Sequence, residues 1–201
     1  MSNPIAGKHI ILGITGSIAA YKAAILASKL TQAGAKVDCI LTESATQFIS
    51  PLTFQTVTGR KAYLDQDLWA REGHVVHIGL AHEADLVLIA PVSANTLAKL
   101  AHGIADNLLS VTALAATCPL VLAPAMDAGM YAHPATQQNV QMLKERGAEF
   151  IGPKPGHLAS GLVGLGRFAE PETILSRVRF LLGKNGRLAG KRPKPTNPEA
   201  K

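Results

Sequence analysis

The chain has 201 residues, 47% of them hydrophobic, which is enough to bury one sizeable core and short for two domains of typical size. Its formal charge is +6 at pH 7, but residues 184–201 carry six Lys or Arg residues against one Glu and so account for five of these charges. Because this basic tail is spaced by prolines and lacks aromatic residues, it predicts a solvated linker and not a nucleic-acid-binding segment.

The N-terminal apolar run is too short to span a membrane and shows no signal-peptide cleavage pattern, so we expect a cytoplasmic protein with no membrane partner. The two cysteines, Cys39 and Cys118, show neither a CxxC spacing nor a nearby histidine cluster. This pattern predicts two buried core thiols and argues against a metal site or a disulfide framework.

The first predicted elements are a strand, a tight turn and a helix. His9 to Thr15 is a continuous apolar run, and apolar or small residues then recur at helical spacing from Ser17 to Leu30. Similar patterns predict strands at 37–42, 85–91, 119–124 and 148–151, and helices at 93–103, 107–116, 134–146 and 172–182. Because strands that are apolar on both faces alternate with helices, we expect a three-layer α/β fold, Rossmann-like or flavodoxin-like, with a mainly parallel sheet.

Residues 152–168 are rich in glycine and show no periodicity of either kind. In a compact domain such a stretch is more often a functional loop than an idle connection, so it is a candidate lid.

Polar and small residues end or follow the first four of the five predicted strands, at 13–18, 42–45, 90–96 and 124–127. In an open parallel sheet these carboxyl ends form the ligand site, where helix N-termini present free amides to an anion. Gly16 would admit a phosphate closely and Ser17 would offer it a hydroxyl and an amide. The turn matches neither the GxGxxG fingerprint nor a Walker loop, and taken alone it is equally expected to be an unliganded turn.

Five motifs in one order carry a resemblance to a known family. They are Gly16-Ser17-Ile18-Ala19-Ala20-Tyr21-Lys22, His77-Ile78-x-Leu80, Ala90-Pro91-x-Ser93-Ala94-Asn95-Thr96, Pro124-Ala125-Met126-x-x-x-Met130-Tyr131 and Gly164-x-Gly166-Arg167. Over nearly all of residues 7–183 the chain resembles the homo-oligomeric flavin-containing cysteine decarboxylases, and among them those that act on 4'-phosphopantothenoylcysteine in coenzyme A biosynthesis.

The resemblance implies that the chain binds flavin mononucleotide (FMN), needs no metal, and decarboxylates a cysteine whose carboxylate is free. It implies that His77, Asp127 and Ser160 occupy catalytic positions and that Asp127, Met130 and Arg167 contact the substrate. The implied FMN ligands are Gly16, Ser17, Ile18, Thr42, Ser44, Ser93, Ala94, Asn95, Thr96 and Ala125. The family assembles as trimers, sometimes as dodecamers, with the flavin site at a subunit interface.

Two positions depart from the family pattern. Asp127 stands where the coenzyme A enzymes have an asparagine that donates a hydrogen bond to the substrate carboxylate, and we hypothesise that burial or the charge of the substrate keeps Asp127 neutral. Ser160 stands where they have a proton-donating cysteine. Because a hydroxyl is a much weaker acid than a thiol, His157 is an alternative proton donor.

These departures leave three functions open. The first is conversion of 4'-phosphopantothenoylcysteine to 4'-phosphopantetheine, and the second is oxidative decarboxylation of a peptide C-terminal cysteine, which stops at an aminoenethiol. The third is a non-catalytic, FMN-binding regulatory role. In each case residues 1–183 form the FMN-binding domain, and residues 184–201 resemble the start of a linker to a C-terminal synthetase domain.

Overall fold

A parallel sheet lies at the centre of the computed structural model, which describes residues 3–69 and 75–183. The strands are β1 (His9–Ile14), β2 (Lys36–Leu41), β3 (Ala62–Tyr63), β4 (Leu86–Val92), β5 (Leu120–Pro124) and β6 (Glu149–Phe150). They lie in the order β3-β2-β1-β4-β5-β6, and every neighbouring pair is parallel. All residues of β1 and β4 are buried, because helices cover both faces of the sheet.

Helices cover the sheet in two layers. Their ranges are α1 (Ala20–Gln32), α2 (Glu43–Thr46), α3 (Pro51–Thr58), α4 (Val76–Glu83), α5 (Ala94–His102), α6 (Leu108–Ala115), α7 (Ala128–Ala132), α8 (Pro134–Glu145) and α9 (Pro171–Leu182), with a 3-10 turn at Asp65–Trp69. Alternate strand residues point to opposite faces, so Leu12 packs with α1, α3 and α9 while Ile11 packs with α4, α5, α6 and α8. The predicted three-layer α/β fold is confirmed.

The long predicted helices are confirmed with shifts of a few residues at their ends. The largest shift is at α1, which begins at Ala20 because residues 16–19 form the turn after β1. The elements α2, α3, α4, α7 and β3 were not predicted, and none of them is longer than eight residues.

The prediction of an irregular loop at 152–168 is wrong. The segment is an antiparallel hairpin of β7 (Lys154–His157) and β8 (Val163–Arg167), separate from the main sheet. A Cβ on Gly164 would lie 2.5 Å from the Ala128 Cβ, and one on Gly166 would run into the Met126 carbonyl. The glycines therefore let β8 lie against the chain that follows β5, and the lack of side chains at these positions hid the strand from any periodicity test.

The prediction of two buried thiols holds for Cys39 and not for Cys118, which is half-buried in the connection before β5. Burial strongly raises the pKa of the Cys39 thiol. Within the described residues, no helix has both the length and the apolar character that a membrane crossing requires.

Candidate active site

Backbone and hydroxyl hydrogen bonds tie the carboxyl ends of the strands together. Thr15, buried at the end of β1, donates its hydroxyl to the Pro91 carbonyl at 2.9 Å and accepts from the Ser93 amide at 2.9 Å. The Thr42 amide donates to the Ile14 carbonyl at 3.0 Å. No role for Thr15 was predicted from the sequence. The feature that could have indicated one is a hydroxyl side chain at the end of an otherwise apolar run. These bonds hold the predicted segments that follow β1, β2 and β4 together at the carboxyl-end edge of the sheet.

A small polar concavity lies where the β1–α1 turn meets the end of β2. A Cβ on Gly16 would lie 2.7 Å from the Ser44 hydroxyl oxygen, which is itself 3.1 Å from the Thr42 hydroxyl. The Ser17 hydroxyl accepts from the Ala19 amide at 3.2 Å.

Within residues 3–69 and 75–183, the amides of Gly16, Ser17 and Ile18 have no acceptor, and α1 starts without a side-chain cap. Free amides and hydroxyls at a helix start are the donors that a phosphate requires. The residues present therefore fit the phosphate end of a flavin nucleotide.

The turn after β4 is a capped helix start, with Ser93 as the N-cap of α5. The Ser93 hydroxyl accepts from the Thr96 amide at 3.3 Å and donates to the Thr96 hydroxyl at 3.2 Å. Ala94 is half-buried and Asn95 is exposed at the same edge. Because capping occupies Ser93 and Thr96, Asn95 is the member of this turn whose side chain is available to a ligand.

A cavity of about 330 Å³ adjoins the β1–α1 turn. Its walls come from the start of α1, the chain after β5 and the β7–β8 hairpin, and include Ile18, Ala125, Asp127, Ser160 and Arg167. The structure thus brings two predicted FMN ligands next to three predicted substrate or catalytic residues. The hairpin forms a wall of the cavity.

Asp127 and Ser160, the two departures from the family pattern, are in direct contact. The Ser160 hydroxyl donates to Asp127 Oδ2 at 2.6 Å, and the Gly129 amide donates to Oδ1 at 3.0 Å. The bond from Ser160, followed by that from Gly129, lowers the pKa of Asp127. Asp127 is also partly exposed, so the hypothesis that burial keeps it neutral is wrong. In the free chain it is a carboxylate.

Arg167 lies in an ion cluster beside the cavity. Its Nη2 donates to Glu170 at 2.7 Å, and Lys22 donates to the two oxygens of the same carboxylate at 3.0 and 2.9 Å. The hydrogen bond from Lys22, with smaller effects of Arg167, lowers the pKa of Glu170 against the opposing effect of desolvation. The guanidinium predicted to bind an anion is therefore present at the cavity, already held by an internal carboxylate.

His77 and Met130 do not line the cavity of the single chain. Met130 is 52% exposed on α7. His77 is in the first turn of α4, and its Nδ1 is buried without a hydrogen-bond partner among the described residues. In the single chain, these two predicted residues are therefore not part of the cavity wall that holds Asp127 and Ser160.

The family model described as Flavoprotein matches residues 1–183. The coenzyme A biosynthesis bifunctional protein CoaBC of Bacillus subtilis strain 168 is 48% identical over 168 residues, which are 84% of this chain and 41% of that protein. The chain thus spans less than half the length of this curated relative. A probable phosphopantothenoylcysteine decarboxylase of Streptococcus mutans is 46% identical over 85% of this chain and 97% of its own.

A solved structure agrees with these relatives. It is a cysteine-to-serine mutant of a PPC decarboxylase in complex with pantothenoylaminoethenethiol, with 38% identity and a TM-score of 0.78 over 86% of this chain and 97% of that chain. The family resemblance read from the five motifs is confirmed, and the chain belongs to the Flavoprotein family.

Proposed function

We propose that this chain is an FMN-dependent decarboxylase of 4'-phosphopantothenoylcysteine, forming 4'-phosphopantetheine. The observation that carries the proposal is the cavity that joins the Ile18 end of the phosphate turn to the Asp127–Ser160 pair. The similarity to a probable phosphopantothenoylcysteine decarboxylase over almost its whole length supports the same substrate.

Gly16, Ser17 and Ile18 would hold the FMN phosphate through their free amides, together with the hydroxyls of Thr42 and Ser44. Ser93, Ala94, Asn95, Thr96 and Ala125 would border the flavin ring at the same sheet edge. Bound FMN supplies reversible hydride transfer at the substrate Cβ, which creates the thioaldehyde needed for loss of carbon dioxide.

The chain's own residues bind the substrate and manage its protons. Arg167 can bind an anionic substrate group when the hydrogen bond from its Nη2 to Glu170 is broken or shared. By their positions in the family motifs, Asp127 and Ser160 would lie where the substrate loses its carboxylate. The overall reaction consumes one proton, because the carboxylate leaves as carbon dioxide and a C–H bond replaces it. A proton donor at this position is therefore required for the saturated product.

His77 is proposed to act in an assembled trimer or dodecamer, where a neighbouring subunit would bring its ring to the substrate. Its buried Nδ1 without an internal partner and the exposed Met130 support such a contact. An imidazole ring can accept and return a proton, which suits a histidine to exchange the thiol proton. Cytoplasmic location and a following synthetase domain belong to the same proposal.

The test is to incubate the flavin-loaded protein anaerobically with 4'-phosphopantothenoylcysteine and to weigh the products. Release of carbon dioxide with 4'-phosphopantetheine supports the proposal. Binding of FMN without consumption of the substrate would contradict it and favour the non-catalytic role.

A second candidate is an oxidative decarboxylase that releases an aminoenethiol from a peptide C-terminal cysteine. The observation favouring it is a hydroxyl, Ser160, at the proton-donating position. It predicts turnover of a peptide ending in cysteine and a product lighter by two hydrogen atoms than the saturated thiol, with a flavin that stays reduced without oxygen.

A further inference from the structure

The two residues that depart from the family pattern form one hydrogen-bonded unit. Asp127 precedes α7, and Ser160 is in the hairpin turn closed by the bond from the Leu158 amide to the Leu162 carbonyl at 2.8 Å. The 2.6 Å bond joins residues 33 positions apart. In this arrangement the only hydroxyl proton of Ser160 points at Asp127, and both carboxylate oxygens accept. The pair offers no proton to a ligand while Asp127 is ionised.

The charges around the pair determine its response to an anionic ligand. The cavity also contains Lys22, His157 and Arg167, but Lys22 and Arg167 donate to Glu170. Asp127 has no cationic partner among the described residues. A substrate carboxylate placed beside Asp127 would therefore meet a like charge, and a like charge favours protonation of one member of the pair.

We propose that Asp127 takes up a proton when the substrate carboxylate enters, and that Asp127 and Ser160 relay this proton to the carbon that loses carbon dioxide. The inference rests on the proposed function and adds a proton donor to it. Protonated Asp127 reverses the hydrogen bond and donates to Ser160, whose own hydroxyl proton is then directed at the substrate.

The transfer balances without another reagent. After carbon dioxide leaves, the C=C electron pair of the enethiolate forms a C–H bond with the Ser160 proton while the sulfur forms C=S. The Asp127 proton moves to the Ser160 oxygen, so Ser160 ends neutral and Asp127 ends as a carboxylate. Reduction of the C=S carbon to the thiol is the hydride chemistry that bound FMN would supply, and it draws no proton from Asp127 or Ser160.

Proton uptake can be measured without turnover. The probe is the substrate analogue with alanine in place of cysteine, which keeps the carboxylate and cannot be oxidised. Calorimetric titration at neutral pH in two buffers of different ionisation enthalpy should show an uptake of about one proton per site. The descarboxy analogue should show none.

Asp127→Asn keeps a good helix cap and should abolish the uptake. His157→Asn is the matched control for the other titratable group in the cavity and should retain it. Equal uptake in wild type and Asp127→Asn would overturn the relay while leaving the proposed function standing. Failure of either analogue to bind the flavin-loaded wild type would overturn both.

Product analysis separates the relay from simple binding. Ser160→Ala should retain proton uptake, yet its ratio of saturated thiol to aminoenethiol should fall about 100-fold, as expected for loss of a proton donor. Asp127→Asn combined with Ser160→Cys should restore the saturated product. An unchanged product ratio in Ser160→Ala, or aminoenethiol as the main wild-type product, would contradict the relay.

Discussion

The fold leaves no space for a side chain at Gly16. Its missing Cβ would lie 2.7 Å from the Ser44 oxygen and 2.8 Å from the Ser44 Cβ. Any larger residue must push the β1–α1 turn away from Ser44, and these two segments supply the predicted phosphate ligands.

Gly16→Ala should therefore weaken FMN binding with little effect on folding. We expect the Kd for FMN to rise at least about tenfold, equivalent to about 1.4 kcal/mol. Fluorescence quenching on adding FMN to flavin-free protein measures it. Gly79→Ala is the control, because nothing lies within 4 Å of its Cβ position. Equal affinities of the two variants would contradict the prediction.

Asp38 lies in a buried ion cluster in the amino-terminal half of β2, whereas the candidate site lies at the carboxyl ends of the strands. It accepts from His9 Nε2 at 2.6 Å and from Arg60 Nε and Nη2 at 2.6 and 2.9 Å. Burial by itself raises the pKa of Asp38, but the bonds from His9 and Arg60 outweigh burial, so the pKa lies below its ordinary value of 3.8.

Asp38→Asn should reduce the free energy of unfolding at pH 7 by about 3 kcal/mol, since it breaks a buried ion cluster. A depressed folded pKa gives stability that is present above the ordinary value and lost as the pH falls through the folded value. The difference between wild type and variant should therefore shrink below pH 3.8 in urea titrations. Asp106→Asn, in a more exposed pair with Lys99, is the control; a difference independent of pH would contradict the prediction.

At the scale of elements, the β7–β8 hairpin is the part of the site that sequence patterns described wrongly. Its pairing depends on Gly164 and Gly166, which allow close approach to Ala128 and Met126. The Lys22–Glu170–Arg167 cluster then joins the end of the hairpin to α1, the helix that follows the β1–α1 turn. The Glu170 carboxylate thus connects α1 to the β7–β8 hairpin.

Glu170→Gln should loosen this link. We expect faster amide hydrogen exchange across 154–167 and a loss of about 1 kcal/mol of stability, the upper range for a partly exposed ion pair. Glu172→Gln is the matched control on the same helix, because its bond to Lys29 is more exposed and lies away from the hairpin. Exchange that is equally slow in both variants would argue against the link.

At the scale of the whole molecule, residues 3–69 and 75–183 hold the two cores on either side of the sheet. The proposed boundary at residue 183 follows the end of α9, whose Leu181 is fully buried. Of the net charge of +6, the residues beyond that boundary contribute +5. Folding and flavin binding should therefore depend on the first 183 residues, and the basic character of the chain on the remainder.

Removal of residues 184–201 should leave the Tm and the FMN affinity unchanged within error, while retention on a cation exchanger falls sharply. Differential scanning fluorimetry, flavin titration and ion-exchange chromatography measure these three quantities. A fall in Tm of several degrees on truncation would show that the boundary is misplaced.

The sequence by itself determined the three-layer α/β fold, because continuous apolar strands alternating with helices have few other ways to be buried. The five ordered motifs also indicated the family. The location of the candidate site followed from the sequence because the polar segments come after strands whose carboxyl ends must meet at one edge of a parallel sheet. Only the tertiary structure decided that Ser160 bonds Asp127, that Thr15 ties β1 to β4, and that Lys22 reaches Glu170. Periodicity reports burial within one element, whereas these contacts join residues between 33 and 148 positions apart and depend on how the elements pack.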